Sequence, residues 1–574
     1  MDLSGDLAKT RAWRAWLEGA KVLGFVAAWV LLSAVVTLHL EPPGKPAGPS
    51  FHWPSLDITV LLLAFAFLGW WGRPIARWPS WVLAALVVAV GLFRLADGLV
   101  RRNYYRSVDL AIDLPLLPEL WRLLHSTVSG PSFWAGVLAL GAALAAAVWA
   151  LERAVSFARR FLASGFGPRV SLGLAVLVMA AASPFVPQGW RGGFGLFGAS
   201  VVPALWQQVE LATATSQRRH DKRQEIQARQ ERWRRAEKGL TGLSDAQVLM
   251  FFVESYGRAA LVHPDHGPRM RPVLDEFAQG AAKAGYEAAS AWLDSPTYGG
   301  GSWLAHATFA TGVRVGDGLE YAVLRNTQPP PGTMAEFFRQ AGYRTTLVQP
   351  GTTRPWPEGM VHGFGRKIYS FDFEYRGPAF GWAPMPDQFV LDFVERQVLA
   401  EKGPHFVLYN LVASHAPWNR LPPIVEDWSR LAKGGGSLYR ELTPRRFAVG
   451  WQNLGAGGEA FVAALAYDFQ ILRRYLERIA DRRVLVIVLG DHQPTASLTG
   501  AAPSHAVPIH VLSQDPQLLA GFVQRGYRPG LWPPPGEEAQ PMEHFLGEFL
   551  EIYAHPGVVS QTEARGRTPA LSAP

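Results

Sequence analysis

Three short stretches of the chain carry side chains that could do chemistry together. VLMFFVESYGR sets Glu254 directly after an apolar run, and RRVLVIVLGDHQP sets Asp491 and His492 directly after another. Carboxylate oxygen and imidazole nitrogen together suit zinc or manganese, so these three residues are candidate ligands of one divalent cation wherever the two run ends converge. SPTYGGGSWLAHATFATG supplies a hydroxyl: Gly299 to Gly301 allow close backbone approach, and Ser302 follows where a helix can start. A serine hydroxyl beside a cation at a helix N-terminus can attack phosphorus, while amide N–H groups there hold phosphoryl oxygens. Taken singly, Glu254 reads as a helix cap or surface residue, the Asp-His pair equally as a turn or as ligands, and Ser302 as an N-cap. Their coincidence is what points to a site.

Such residues need a rigid frame. Val248–Val253, Thr345–Val348, Phe406–Val412, Val484–Leu489 and Val507–Leu512 have the length and β-branched content of buried strands. Helix-like stretches lie between them at Arg271–Gly285, Thr333–Ala341, Pro386–Leu399 and Gly458–Ala480. Strands alternating with helices predict an α/β domain whose central, mainly parallel sheet lies between helices, with chemistry at the carboxyl ends of the strands.

The first third is of another kind. Val22–Leu40, Ile58–Gly72, Pro79–Phe93, Pro131–Leu151 and Val170–Pro187 are apolar, the second and third being short against the ~20 residues a helix needs to cross the hydrocarbon core. We read them as an α-helical membrane domain of five transmembrane helices. Lys9, Arg11, Arg14, Lys21, Arg73, Arg77, Arg153, Arg159, Arg160 and Arg169 fall on one side, against Lys45, Arg101, Arg102, Arg106 and Arg122 on the other. Ten against five places the N-terminus inside and, with five spans, everything after Pro187 outside. The expected division is a membrane domain over 1–190, an interfacial and charged connector over 191–240, and a catalytic domain over 241–574. The connector stretch Ser216–Leu240 is strongly charged and lacks an apolar stripe, so a solvated connecting helix is expected, with anionic lipid contact as the alternative.

Composition removes several function classes. With no cysteine there is no disulfide framework, thiolate metal site or cysteine nucleophile. A formal charge of +8 fits anionic partners, but no recognition motif accompanies it, so nucleic acid is not an expected partner. The five stretches show no inverted repeat, and the ionisable residues near a span interior, Arg94 and Asp97, sit at an outer end, which argues against transport.

The order of membrane spans, strand-Glu-Ser, GGGS, a Ser-His-x-Pro stretch and strand-Gly-Asp-His resembles the alkaline-phosphatase/sulfatase superfamily, in particular its membrane-anchored branch of lipoteichoic acid synthases and phosphoethanolamine transferases. The resemblance implies an alkaline-phosphatase-like fold for 241–574. It implies one catalytic divalent metal, Zn or Mn, held by Glu254, Asp491 and His492 and completed by Ser302, which stands where those enzymes usually have a threonine nucleophile. NLVASHAPW puts His415 at the family's substrate-binding histidine, and TTRPWPEG offers Arg354 and Trp356 near the family's Trp-x-Arg head-group contact, in reversed order. His505, in SHAVPIHV, lies where members place a further histidine; His306, one helical turn beyond Ser302, is expected to pack. The implied reaction moves a phosphoglycerol or phosphoethanolamine head group from a membrane phospholipid to a glycan or lipid acceptor. The implied location is the bacterial inner membrane, with the catalytic domain periplasmic or extracellular. A phosphodiesterase, phosphatase or sulfatase-like hydrolase is the alternative, although the C/S-x-P-x-R signature of formylglycine sulfatases is not found around Ser302.

Overall fold

The computed structural model describes residues 3–40, 49–50, 55–71, 78–118, 121, 130–165, 168–169, 172–173, 201–235, 239–328, 332–500, 504–536 and 538–554. It divides into two compact units, Met1–Gln217 and Arg218–Pro574.

The first unit is helical: α1 (Leu3–Thr37), α2 (Leu56–Trp70), α3 (Trp78–Tyr104) and α4 (Gly130–Ala163). Phe25, Trp29, Leu62, Val87 and Val155 form its core, whereas Leu23, Leu86 and Leu138 are exposed. A surface that apolar is costly in water and natural in lipid. Three helices are long and apolar enough to cross a membrane, over Ala12–Thr37, Trp78–Tyr104 and Gly130–Ala163. The second expected span is a helix of 15 residues, shorter than a membrane crossing requires. The fifth, Val170–Pro187, lies outside the described residues apart from Leu172 and Gly173.

Helix α5 (Val201–Arg235) gives its residues from Arg218 onward to the second unit. There the expectation of a helix without an apolar stripe needs correction. Lys222, Ile226, Gln230 and Trp233 recur on one face and are buried. Ile226 joins Leu304, Val313 and Tyr321, and Trp233 meets Phe337 edge-on at 5.8 Å. Two apolar residues suffice because the stems of Lys222 and Gln230 cover the surface between them.

The second unit is built on a mixed sheet. Its strands are β1 (Gln247–Val253), β2 (Glu287–Asp294), β3 (Arg344–Gln349), β4 (Arg366–Tyr369), β5 (His405–Leu411), β6 (Val484–Gly490), β7 (Ala506–Ser513) and two edge pieces, β8 (Arg528–Pro529) and β9 (Gln540–Pro541). The order is β8-β2-β7-β6-β1-β5-β3-β4, with β9 paired to β2. From β6 through β1, β5 and β3 to β4 every pairing is parallel; β7 runs antiparallel to both β6 and β2.

The alternation along β1 assigns the faces. Leu249, Phe251 and Val253 enter a core with α6 (Gly267–Lys283), α10 (Asp387–Gln397) and α11 (Gly458–Arg478). Val248, Met250 and Phe252 enter the opposite core with α7 (Ser302–Thr311), α9 (Met334–Gln340) and α13 (Phe545–Ala554). Between α7 and α9 lies α8 (Gly318–Asn326), and α12 (Pro516–Gln524) covers the β2–β7 side. With helices on both faces, strands must be apolar throughout, which is why β6 reads VLVIVLG. All five expected strands and all four expected helices form within a few residues of their expected bounds; β2, β4, β8 and β9 are additional to the sheet.

Candidate active site

The central strands β1 and β6 are paired in parallel, Gly490 opposite Val253, so their carboxyl ends deliver Glu254 and Asp491 side by side. The approach is close: a Cβ on Gly490 would stand 1.8 Å from the Tyr256 carbonyl oxygen, so only glycine fits. Ser255 holds a positive φ of 60° as the chain leaves β1. That turn aims the Ser255 N–H at Asp491 Oδ1, 2.8 Å away, and the His492 N–H reaches the same oxygen at 2.7 Å. Asp491 Oδ1 is thus satisfied by backbone. Its Oδ2 is buried, accepts no hydrogen bond among the described residues and lies 3.5 Å from His492 Nε2.

His492 is oriented by its own neighbour. Nδ1 donates to the Gln493 carbonyl at 2.7 Å, which directs Nε2 at Glu254 Oε1, 3.3 Å away. Gln493 is fixed in turn, its side chain bonding the Ala259 N–H at 3.1 Å and the Ala506 carbonyl at 3.0 Å. Carbonyl-anchored imidazoles of this kind are how metal-ligating histidines are held.

Ser302 arrives from the other side. The loop after β2 is tied to the Asp491 strand end by the Tyr298–Gln493 bridge, and Gly299, Gly300 and Gly301 take φ of 70°, 151° and 80°. Gly301 is the N-cap of α7, so Ser302 is its first helical residue and its hydroxyl is not spent on capping. Ser302 Oγ donates to Glu254 Oε2 at 2.9 Å and lies 3.1 Å from His492 Nε2. The N-terminal amides of α7 open beside it.

One ligand atom from each of Glu254, Asp491 and His492 lies within 4.8 Å of the others. The donor set fits zinc or manganese: two carboxylates, an imidazole with its distal nitrogen already bonded, and an orphaned buried oxygen facing inward. Electrostatics agree. Burial opposes charge on Glu254, yet the hydrogen bond and positive charge of His492 hold its carboxyl far below the usual range. Burial, then the charge of Glu254, pushes Asp491 up to about 7. Burial disfavours the imidazolium, but Asp491 and Glu254 prevail and raise His492 to about 9. These opposed shifts arise where buried charged groups crowd together, a strain that a divalent cation among them would relieve.

The other expected residues are placed less closely. The half-buried His415 stacks on Trp382 at 3.9 Å, and its Nδ1 bonds the Ala416 carbonyl at 2.7 Å, leaving Nε2 free of that bond. His415 is near enough to help lower Glu254. His505 packs against Tyr298 at 5.5 Å and bonds the Ser295 carbonyl at 3.1 Å, on the loop that leads to Ser302. Trp356 is half-buried against a cluster that includes Leu304 of α7, and Arg354 is exposed. His306 packs as expected, its ring 4.3 Å from Phe252, and burial pushes it down to about 3.

Two buried carboxyls went unanticipated. Asp387 Oδ2 accepts the N–H groups of Val412 and Ala413 at 2.9 and 2.7 Å, fixing the strand end that leads to Ser414 and His415. Asp468 of α11 is buried beside it, and burial raises both, Asp387 to about 7. In sequence both sit in amphipathic helices and read as solvent-facing acids. Trp382, which backs His415, was equally silent.

Residues 311–508, from the end of α7 into β7, match the family model described as Sulfatase, so the second unit carries a sulfatase-type α/β domain. That match falls in the same domain whose motifs resemble the alkaline-phosphatase/sulfatase superfamily. No curated protein matches it in sequence. Among solved structures it is similar to the integral membrane lipooligosaccharide phosphoethanolamine transferase A of Neisseria meningitidis, at 13% identity over 87% of this chain and 88% of that one, with a TM-score of 0.42. It is also similar to the phosphoglycerol transferase GacH of Streptococcus pyogenes in complex with sn-glycerol-1-phosphate, at 13% identity over 58% and 91%, TM-score 0.35. A third is the lipoteichoic acid synthase LtaP of Listeria monocytogenes, at 14% identity over 46% and 65%, TM-score 0.32.

Proposed function

We propose that the chain is a membrane-anchored, metal-dependent phosphotransferase that moves a phosphoglycerol or phosphoethanolamine head group from a phospholipid to a glycan or lipid acceptor through a covalent adduct on Ser302. One observation carries the reading: a half-buried serine hydroxyl, free of capping duty at the start of α7, 2.9 Å from Glu254 and 3.1 Å from His492. A zinc or manganese ion held by Glu254, Asp491 and His492, with Ser302 completing its shell, would supply the charge that favours the ionised hydroxyl and offsets the phosphoryl oxygens.

The residues of the chain do the rest. Ser302 Oγ, its proton directed at Glu254, forms a bond to phosphorus while the bond from phosphorus to the lipid's glyceride oxygen breaks. His415 gives the departing oxygen a proton, and the amides at the start of α7 hold the phosphoryl oxygens. An acceptor hydroxyl, its proton passing to His415, then displaces the serine oxygen, which takes back the proton directed at Glu254. Arg354, Trp356 and His505 are assigned to the head group. We place 1–190 in the bacterial inner membrane as five spans, 191–240 as the connector, and 241–574 on the periplasmic or outer side; the ten-to-five bias of basic residues supports this orientation.

Incubation with phospholipid donor and no acceptor should leave a head-group adduct on Ser302, read by intact mass and peptide mapping. Ser302→Ala should abolish turnover with the fold retained, and Ser302→Thr should keep part of it. An adduct on Thr297 or Thr308, or an active Ala variant, would overturn the assignment. Rapid hydrolysis of the adduct with no acceptor product would make the enzyme a phosphodiesterase.

A further inference from the structure

Away from that cluster, α8 and the Arg218–Arg235 part of α5 line an open cavity of about 490 Å³. Arg219, Arg223 and Gln227 follow one another at four-residue steps and form a single row along α5. Facing them are the buried Leu319 and Val323 of α8, with Asn326 at that helix's end. The neighbouring cations are neutralised: Arg218 pairs with Asp317, and Lys222 with Glu225 and Glu320. Arg219 and Arg223 make no ion pair among the described residues. None of the described lining residues is acidic.

Two uncompensated guanidiniums above an apolar floor form a receptor for an anion that carries apolar surface. Guanidinium donors match phosphate oxygens in pairs. Inorganic phosphate would satisfy the arginines and leave the apolar side of the cavity uncovered. A zwitterionic head would bring an ammonium to a cavity whose described lining offers no carboxylate to receive it. We propose that this cavity binds the phosphodiester head of an anionic phospholipid, with Arg219 and Arg223 on the phosphate and the glyceride end against Leu319 and Val323. The site shares no residue with Glu254, Ser302, Asp491 or His492, and it stands whether or not Ser302 is a nucleophile.

The test is hydrogen exchange on the purified full-length protein in a neutral detergent, titrated with dihexanoyl phosphatidylglycerol, dihexanoyl phosphatidylcholine or inorganic phosphate. Phosphatidylglycerol should protect peptides covering 216–230 and 318–328. In the Arg219→Gln/Arg223→Gln variant the concentration giving half-protection there should rise about 30-fold, roughly fivefold for each charge removed. Any protection around 297–306 should be unaffected, which separates this site from the catalytic one. The exposed substitutions should leave thermal unfolding unchanged. Absence of protection at 216–230 and 318–328, equal protection by phosphatidylcholine or by inorganic phosphate, or an unchanged response in the double variant would each overturn the proposal. A loss of thermal stability in the double variant with unchanged lipid response would mean that the arginines only complement the α8 C-terminus.

Discussion

Replacing Asp387 measures how the His415 strand end is held. In Asp387→Ala the Val412 and Ala413 N–H groups, which now bond one carboxylate oxygen at 2.9 and 2.7 Å in a fully buried setting, lose their acceptor. A stranded buried donor costs about 1–3 kcal/mol, so the pair should cost roughly 2–6 kcal/mol. Unfolding a unit of this size carries an entropy of about 0.7 kcal/mol/K, which converts the loss into a melting temperature lower by roughly 3–9 °C. Asp387→Asn keeps a carbonyl oxygen in place and should lose about half as much. Thermal unfolding of the purified protein, followed by intrinsic fluorescence, reads the shift. Turnover of Asp387→Ala below its melting point should fall as well, because His415 follows two residues after Ala413. An Ala variant that melts within a degree of wild type, or an Asn variant as damaged as Ala, would refute the reasoning.

Gly490→Ala should fail to give folded protein, since the new methyl would lie 1.8 Å from a backbone oxygen; recovery of normal yield and melting behaviour would contradict the close approach of the two strand ends. Metal analysis of wild-type protein should give about one ion per chain, lost in Asp491→Ala/His492→Ala, and two tightly held ions would count against a single site. Glu548, buried with Oε1 unpartnered, is raised from the usual 4.5 to about 7. A carboxyl whose folded value is raised favours the folded state below its unfolded value, and that contribution disappears as pH rises through about 7. Glu548→Gln should therefore match wild type near pH 5 and be more stable at pH 8 by up to about 3 kcal/mol; equal melting temperatures at both pH values would refute it.

Much of this site is legible in the sequence because its chemistry follows directly on apolar runs. VLMFFV and VLVIVLG have the length and composition of buried strands, so the residue after each is expected at the carboxyl end of the sheet. Other features depend on partners that sequence does not display. EAASAWLD of β2 is rich in alanine, which is sparse in strands, and gave no strand signal, yet it forms an interior strand paired to β7, where Ser290 meets His510 at 2.8 Å. The antiparallel entry of β7 is set by pairing, which periodicity leaves open. The connector's buried face rested on two apolar residues among many charges. Asp387 looked like an ordinary acid at a helix start, where its side chain could equally have faced water; only the strand end packed over it gives it two donors.

The antiparallel strand between β2 and β6 sets an order of events during synthesis. β2 reaches the rest of the sheet only through β7, which is made on the order of 200 residues later, or about 10–40 s at ordinary elongation rates. Until then the Ser302 loop hangs from a strand without its neighbour, and Glu254 waits for Asp491 on a strand not yet emerged. A chain caught at this stage exposes an unpaired strand edge, the feature through which strands of separate chains join, so the interval before β7 emerges is when it is most open to aggregation.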